Sequence, residues 1–389
     1  MKLPVLPARV IVVVVILVAA IGRNGQPQSQ PGPTACDTDA LTSSFGSTFA
    51  LGSQFAPIGG VSVGTGWFRL NTADVQSSSP LAGTFTRAYN SGDTRTTALG
   101  PGWTSNAQVR LRLEGSSPDI LMTLPDGAVE RFKGAVSNDH SIGTSRGYRE
   151  LDRQADGRSI VHDDGRIWTF ESTGRLARVD DPSGDWVELL YNGDKLQSTV
   201  GPDGPGLTFE FGVDGRMKRV SSATDPKVFV AYEYDAIGRL TRAAPSNGAV
   251  RRYTYVQDTQ QIATITDDAG SVLLRLDYDD RGRVIRDRDA RGLSNGDAIT
   301  FVYEEVPDGG RRTTVTYPVS AFEPGWHPIQ VVTEDRQSRL RTLSLRPTSW
   351  AVLIGRYDYD AENRRIALDP RPCPALNAPR PNPGQVAVR

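Results

Sequence analysis

Val228-Phe229-Val230-Ala231-Tyr232-Glu233-Tyr234-Asp235-Ala236-Ile237-Gly238-Arg239-Leu240 reads as one strand, a turn and the start of the next strand. Strand side chains alternate between faces, so Val228, Val230, Tyr232 and Tyr234 share one side, and that side is apolar enough to bury. Asp235 to Gly238 supplies turn chemistry, with Gly free to take φ > 0. Working outward, Gly174-Arg175-Leu176, Gly215-Arg216-Met217 and Gly282-Arg283-Val284 repeat the turn, with weaker copies at Asp194-Lys195-Leu196 and Gln260-Gln261-Ile262. The steps from Gly174 are 20, 21, 23, 22 and 22 residues. A fixed period of that size marks a stacked array, and each period holds two alternating runs, hence one hairpin.

The same pattern places Leu274, Leu276 and Tyr278 on one face, as it does Phe209 with Phe211 and Tyr253 with Tyr255. Stacked hairpins would line these into columns, with Gly174, Gly215, Gly238 and Gly282 in equivalent turns and Tyr234, Tyr255 and Tyr278 on one side of a single sheet. Asp181-Pro182-Ser183-Gly184, Gly201-Pro202-Asp203-Gly204 and Asp267-Asp268-Ala269-Gly270 supply the return turns, each with Gly last. The arginine after each glycine starts the outgoing strand, where it can reach turn carboxylates. Its first reading is structural, and a ligand-binding arginine ladder is the sharper alternative.

The 389 residues carry 39 Gly and 26 Pro, which suits a turn-rich β protein, and 44 Lys+Arg balance 45 Asp+Glu without a long block of either sign. A nucleic-acid or anionic-membrane partner is therefore disfavoured. Lys2 and Arg9 precede twelve apolar residues, Val10 to Ile21, and Val18-Ala19-Ala20 offers small residues for cleavage. Residues 1–21 thus read as a signal peptide, because so short a run hardly spans a bilayer of about 30 Å; an uncleaved signal-anchor is the second reading. Residues 22–52 read as a flexible linker, and 367–389, with Pro370, Pro372, Pro374, Pro379, Pro381 and Pro383, as a disordered tail. Cys36 and Cys373, the only cysteines, could pair in an oxidising compartment, but they lack the spacing of a metal site.

Ahead of the repeats, residues 53–149 lose the period but keep short strand-like runs. They hold Thr65-Gly66-Trp67-Phe68, Thr86-Arg87-Ala88-Tyr89-Asn90-Ser91, Leu99-Gly100-Pro101-Gly102-Trp103 and Leu124-Pro125-Asp126-Gly127 in that order. Together with Tyr234-Asp235, Tyr278-Asp279 and Tyr357-Asp358-Tyr359-Asp360, these motifs resemble the Rhs/YD-repeat family from about Gly60 to Tyr303 and more faintly to Tyr359. The resemblance implies an all-β fold: tandem hairpin repeats (150–299) forming a curling antiparallel sheet or partial shell, an amino-terminal β cap over 53–149, and degenerate repeats over 300–366. Trp67, Trp103 and Phe85 are expected to plug the capped end, with Arg87 and Tyr89 in the cap motif. Family members that close a full cocoon carry many more repeats, a carboxy-terminal plug and often a toxin domain. This chain shows one Asp369-Pro370 and fits a partial strip better.

Nothing in the sequence assembles a catalytic centre. His140, His162 and His327 lie in polar surroundings; His162-Asp163-Asp164 lacks a nucleophile motif, and pairs such as Asp180-Asp181 and Glu304-Glu305 fall at turns or strand ends. The expectation is therefore a non-enzymatic protein without cofactor or metal, secreted, periplasmic or at the cell surface. It would act as scaffold, shell fragment or interaction surface, the resemblance linking it to interbacterial competition. Its partner would be a protein or a cell-surface carbohydrate, with membrane contact only through an uncleaved signal and self-association through open sheet edges. A carbohydrate-binding adhesive module is the alternative, motivated by Trp186, Trp326 and Trp350 as stacking platforms. A secreted glycosidase on a β-propeller is third, two hairpins making one blade of roughly 40–45 residues.

Overall fold

The computed structural model describes residues 60–370 except 78, 80, 114, 145–148, 290–291, 294–295, 320–324, 347–352 and 360–364. The signal peptide, the linker, Cys36, Cys373, Trp350 and the end of the proline-rich tail lie outside the described residues. The chain forms two units, and the first described here spans 51–296. Its strands from His140–Ile142 to Val284–Asp289 pair antiparallel, each with the next in sequence. That unbroken ladder is a single sheet of consecutive hairpins. A propeller would break it between blades, so the propeller reading falls.

The repeat turns share one geometry. Gly174, Gly215, Gly238 and Gly282 have φ of 78, 78, 87 and 75°. In the hairpin around Gly238, its N–H donates to the Asp235 carbonyl at 3.0 Å, while Asp235 N–H donates to the Arg239 carbonyl at 3.0 Å. A turn closed in this way and followed by a left-handed glycine inserts a bulge, and the register shifts there, between Glu233 and Tyr234 opposite Leu240. The same shift recurs before Leu176, Leu196, Met217, Ile262 and Val284.

One face of the ladder is buried. Leu176, Met217, Leu240, Ile262 and Val284 are all 1% exposed or less, with Val230, Tyr232, Tyr253, Leu274 and Leu276 beside them. Each large apolar side chain so buried contributes about 1.5–3 kcal/mol relative to leaving it in water. On this side sit a two-stranded ribbon, Thr96–Thr97 with Gly100–Pro101, and two three-stranded sheets. One joins Arg69–Gln76, Thr84–Asn90 and Trp103–Ser105; the other joins Arg110–Leu113, Ile120–Thr123 and Val129–Phe132. A 3-10 turn, Asn106–Gln108, lies between them.

The long sheet starts earlier than the sequence suggested. His140–Ile142 pairs with Glu150–Arg153, so this strand joins the sheet of the repeats. Its residues carry no repeat signature, and only the pairing reveals it.

The second unit holds the described residues from 297 onward. Ile299–Glu305, Arg311–Thr316, Ile329–Glu334, Leu340–Arg346, Leu353–Tyr359 and Arg365–Pro370 pair consecutively as hairpins. Arg365–Pro370 takes in the first residues of the expected tail. Phe301, Val315 and Val332 form its buried face. Among the described residues no helix is long and apolar enough to cross a membrane.

Candidate functional site

Neighbouring hairpins do not pair along their full length. Within a hairpin the rungs run up to the turn, but the pairing from one hairpin to the next covers only Arg219–Ser221 with Phe229–Ala231, or Arg242 and Ala243 with Arg252 and Arg251. Near each Gly-Arg turn the seam opens, and the residue after the arginine has a backbone C=O and N–H without a strand partner. Buried backbone groups left in that state destabilise the fold.

Tyrosine closes the carbonyl side. Tyr191 O–H donates to Leu176 O at 2.8 Å, Tyr234 to Met217 O at 2.7 Å, Tyr255 to Leu240 O at 2.6 Å and Tyr278 to Ile262 O at 2.9 Å. Each phenol thus ties its own hairpin to the one before. Burial pushes these hydroxyls up, Tyr191 to about 12, so they stay protonated donors at physiological pH. Tyr255→Phe should lower unfolding free energy by about 1–3 kcal/mol, because the Leu240 carbonyl is then stranded. Urea denaturation checks this, and a change below about 0.3 kcal/mol would remove the tyrosine from the seam.

Aspartate and arginine hold the turn itself. Asp235 Oδ1 accepts the Arg239 N–H at 2.8 Å and Oδ2 accepts Arg239 Nε at 2.7 Å; Asp279 and Arg283 repeat both bonds at 2.8 Å. Burial works against charge on Asp235, but the Arg239 guanidinium outweighs it and holds the carboxyl below its ordinary range. The arginine then reaches forward. Its guanidinium lies 4.8 Å from the ring centre of Tyr255 and its Nη1 donates to Thr259 O at 2.8 Å. Arg175 sits likewise over Tyr191 and Arg216 over Tyr234, at 4.6 and 5.8 Å, and Arg216 pairs with Asp214. Every repeat arginine in this unit has a carboxylate or carbonyl partner within the fold.

The cap closes the N–H side. Met217 N–H donates to Ala98 O at 2.8 Å, Ile262 N–H to the Tyr89 hydroxyl at 3.1 Å and Val284 N–H to Gly66 O at 2.8 Å. The Tyr89 O–H in turn donates a hydrogen bond to Gln260 O at 2.7 Å. The approach is close enough to require glycine: a Cβ on Gly206 would lie 2.1 Å from the Ala82 carbonyl oxygen, and one on Gly100, already at φ +94°, 2.6 Å from Gly238 O.

Side chains seal the junction. Trp103, fully buried, packs at a tilt 5.0 Å from Tyr89 and edge-on 5.1 Å from Tyr253, and its indole N–H donates to the Tyr255 hydroxyl at 3.1 Å. Phe85 meets Phe209 edge-on at 5.8 Å. Arg87 and Asp74, both 1% exposed at the side chain, pair at 2.5 Å, and Tyr232 O–H donates to the same Asp74 oxygen at 2.6 Å. Burial opposes charge on Arg87, yet Tyr253, Asp74 and Tyr232 around it raise its pKa beyond the ordinary arginine value. Trp67 departs from expectation. It is half-buried over Gly92, and its neighbour Phe68 fills the core, since strand alternation turns one of the two outward.

The other sequence candidates are ion-paired surface groups. His162 faces Asp152 at 3.3 Å and not its sequence neighbour Asp163, which pairs with Arg149 at 2.9 Å. His140 Nδ1 meets the other Asp152 oxygen at 2.7 Å, and that hydrogen bond raises the His140 pKa. Asp180 pairs with Arg178 and Asp181 with Arg166. His327, on the second unit, is exposed and contacts Tyr317 O at 2.9 Å. Trp186 is half-buried with the Arg178 guanidinium 4.2 Å from its ring centre, so one face is already covered; Trp326 is half-buried with Arg346 at 5.4 Å. Among the described residues no cluster of His, Cys, Asp or Glu is arranged to hold a metal.

Comparison with known proteins meets the same division. Residues 59–132, the docked cap, match a family described only as a domain of unknown function, DUF6531. Residues 169–292, the stitched hairpins, match the Teneurin YD-shell family. Double-stranded DNA deaminase toxin A of Burkholderia cenocepacia (strain H111) is 27% identical over 255 residues, which is 61% of this chain and 17% of the relative. The chain thus spans less than a fifth of the length of that curated relative. Among solved structures, the TcdB2-TccC3-Cdc42 crystal structure aligns at a TM-score of 0.37 and 13% identity over 74% of this chain and 15% of the other. The Photorhabdus luminescens Tc holotoxin pore aligns at 0.28 and 14%, over 74% and 15%. With tyrosine, aspartate, glycine and arginine in their repeating places along the hairpins that the YD-shell family matches, residues 169–292 form a run of Rhs/YD-type repeats.

Proposed function

We propose that this chain is a non-catalytic shell wall in a toxin-associated protein, exported from the cell, whose cap seals one end of the hairpin sheet. The observation that carries the reading is the seam: cap acceptors meet the N–H groups of Met217, Ile262 and Val284, on three different hairpins, while Arg87 and Trp103 are buried between cap and sheet. A surface that used its polar groups on a substrate would keep some of them accessible, whereas here the repeat's tyrosines, aspartates and arginines are spent on one another. The toxin association rests on the relative named as a deaminase toxin, whose match to this chain extends over 255 residues. A wall needs rigidity and continuity, and tyrosine-stitched hairpins supply both.

Limited proteolysis of the full chain, with an ammonia-release assay on double-stranded DNA run beside it, tests this. The expected result is one resistant fragment holding cap and hairpins together, and no deamination. Early cleavage that frees the cap from the sheet would defeat the wall, and ammonia release that scales with protein would defeat its non-catalytic character.

A further inference from the structure

The bulge position before each repeat turn is aromatic along the sheet: Phe170, Tyr191, Phe211, Tyr234, Tyr255 and Tyr278 stand there, and Tyr359 does so in the second unit. In the hairpin Ile329–Glu334 with Leu340–Arg346 the place is taken by Glu334, which pairs with Leu340 across the same register shift. The rest of that turn is an ordinary repeat. Asp335 N–H donates to Arg339 O at 3.0 Å, Asp335 Oδ2 accepts Arg339 Nε at 2.7 Å, and Ser338, at φ 56°, stands where glycine usually does. Ser338 keeps the glycine's left-handed backbone, so the exchange that changes the pairing is the one at the seam.

The exchange alters the seam. Where a tyrosine bridges two hairpins, their rungs stop short of the turn; here Arg311–Thr316 pairs with Ile329–Glu334 to the end, with Arg311 directly opposite Glu334. Glu334 is enclosed, at 3% exposure for the residue, and its Oε1 is buried without a hydrogen-bond partner. Its neighbours on that face are Arg311 and the buried Thr313 from one strand, Leu340 from the other and Val332 on its own. Asp335, next along the chain, is bound to Arg339 and to Arg341 Nε. A carboxylic acid fits such a place when neutral, while a carboxylate there has lost its water.

We propose that Glu334 is a proton-operated clasp: as the neutral acid it lets the last rungs between Arg311–Thr316 and Ile329–Glu334 close, and as the carboxylate it opens them. Burial pushes this carboxyl up from 4.5 to about 7, with Arg311 pulling it down and Asp335 pushing it further up. The folded form therefore holds a proton that the opened form has released between these two values. Closure is favoured below about pH 4.5, weakens as pH rises through the window, and levels off above about 7. The opening constant should rise roughly a hundredfold across it.

Amide hydrogen exchange of the full chain at about pH 5 and pH 8, each rate divided by the intrinsic rate at that pH, reads this strand by strand. In the wild type, protection of 329–334 and 311–316 should fall between the two, while 229–234 and 251–255 stay unchanged. Glu334→Gln, which cannot ionise, should show no such fall. Glu334→Tyr, which restores the usual residue, should be equally flat and serves if the glutamine variant loses protection throughout. A flat wild type, or a fall of equal size in either variant, would overturn the clasp.

Discussion

Arg87→Ala is expected to lower the unfolding free energy by about 3–5 kcal/mol, the usual loss when one member of a buried ion pair is removed. Asp74 would be left with the Tyr232 hydroxyl as its remaining hydrogen-bond donor among the described side chains, in a place where its side chain is 1% exposed. The guanidinium also lies 4.8 Å from the Trp103 ring centre and 5.4 Å from that of Tyr253, so its loss leaves a gap between two aromatic rings. Packing and charge fail together. Pairing Arg87→Met with Asp74→Leu separates the two effects: with no charge left to strand, the double variant should recover at least about half of the loss. Chemical denaturation of both measures it, and a double variant weaker than the single one would mean that the ion pair itself, and not the stranded carboxylate, sets the cost.

Trp103→Ala should cost a similar amount, about 3–5 kcal/mol, through the cavity left by a fully buried indole. The indole touches Tyr89 within the cap and Tyr253 on the sheet, and its N–H serves the Tyr255 hydroxyl, which in turn serves Leu240 O. Its removal therefore weakens both the junction and one stitch of the seam. Trp103→Phe should restore roughly half of the loss, since the ring contact returns and the N–H does not. Thermal or urea unfolding followed by tyrosine fluorescence distinguishes these cases. A loss under about 1 kcal/mol for the alanine variant would mean that the cap is only loosely seated.

The hairpins were legible because their causes are local. Gly238 and its counterparts announce a left-handed turn, and alternation around Tyr232 and Tyr234 announces which face is buried. The seam was not legible, because nothing near Tyr234 says that its hydroxyl will seek the Met217 carbonyl one hairpin back. Arg87 was readable as part of a cap motif, but its pairing with Asp74 and the reach of Tyr232, 158 residues away, to the same oxygen are facts of the fold. Trp67 misled because size suggested burial, whereas alternation gave the core to Phe68. Glu334 was hidden for a different reason: without the register it is one acidic residue among many, and only the shift opposite Leu340 puts it in an aromatic's place. The weak copies at Lys195 and Gln261 show the reverse, since the hairpin persists there although the Gly-Arg pair is missing.

The docking of the cap on the seam is tested most directly by the exchange rates of three amides, Met217, Ile262 and Val284, measured by NMR on the full chain. Each has its acceptor in the cap and none on a neighbouring strand, through Ala98 O, the Tyr89 hydroxyl and Gly66 O. If the cap is part of the wall, all three exchange as slowly as Val220 and Val230 in the middle of the sheet, and all three accelerate together in Arg87→Ala. If they exchange rapidly in the wild type while Val220 and Val230 stay protected, the cap does not close the seam and the wall has no sealed end.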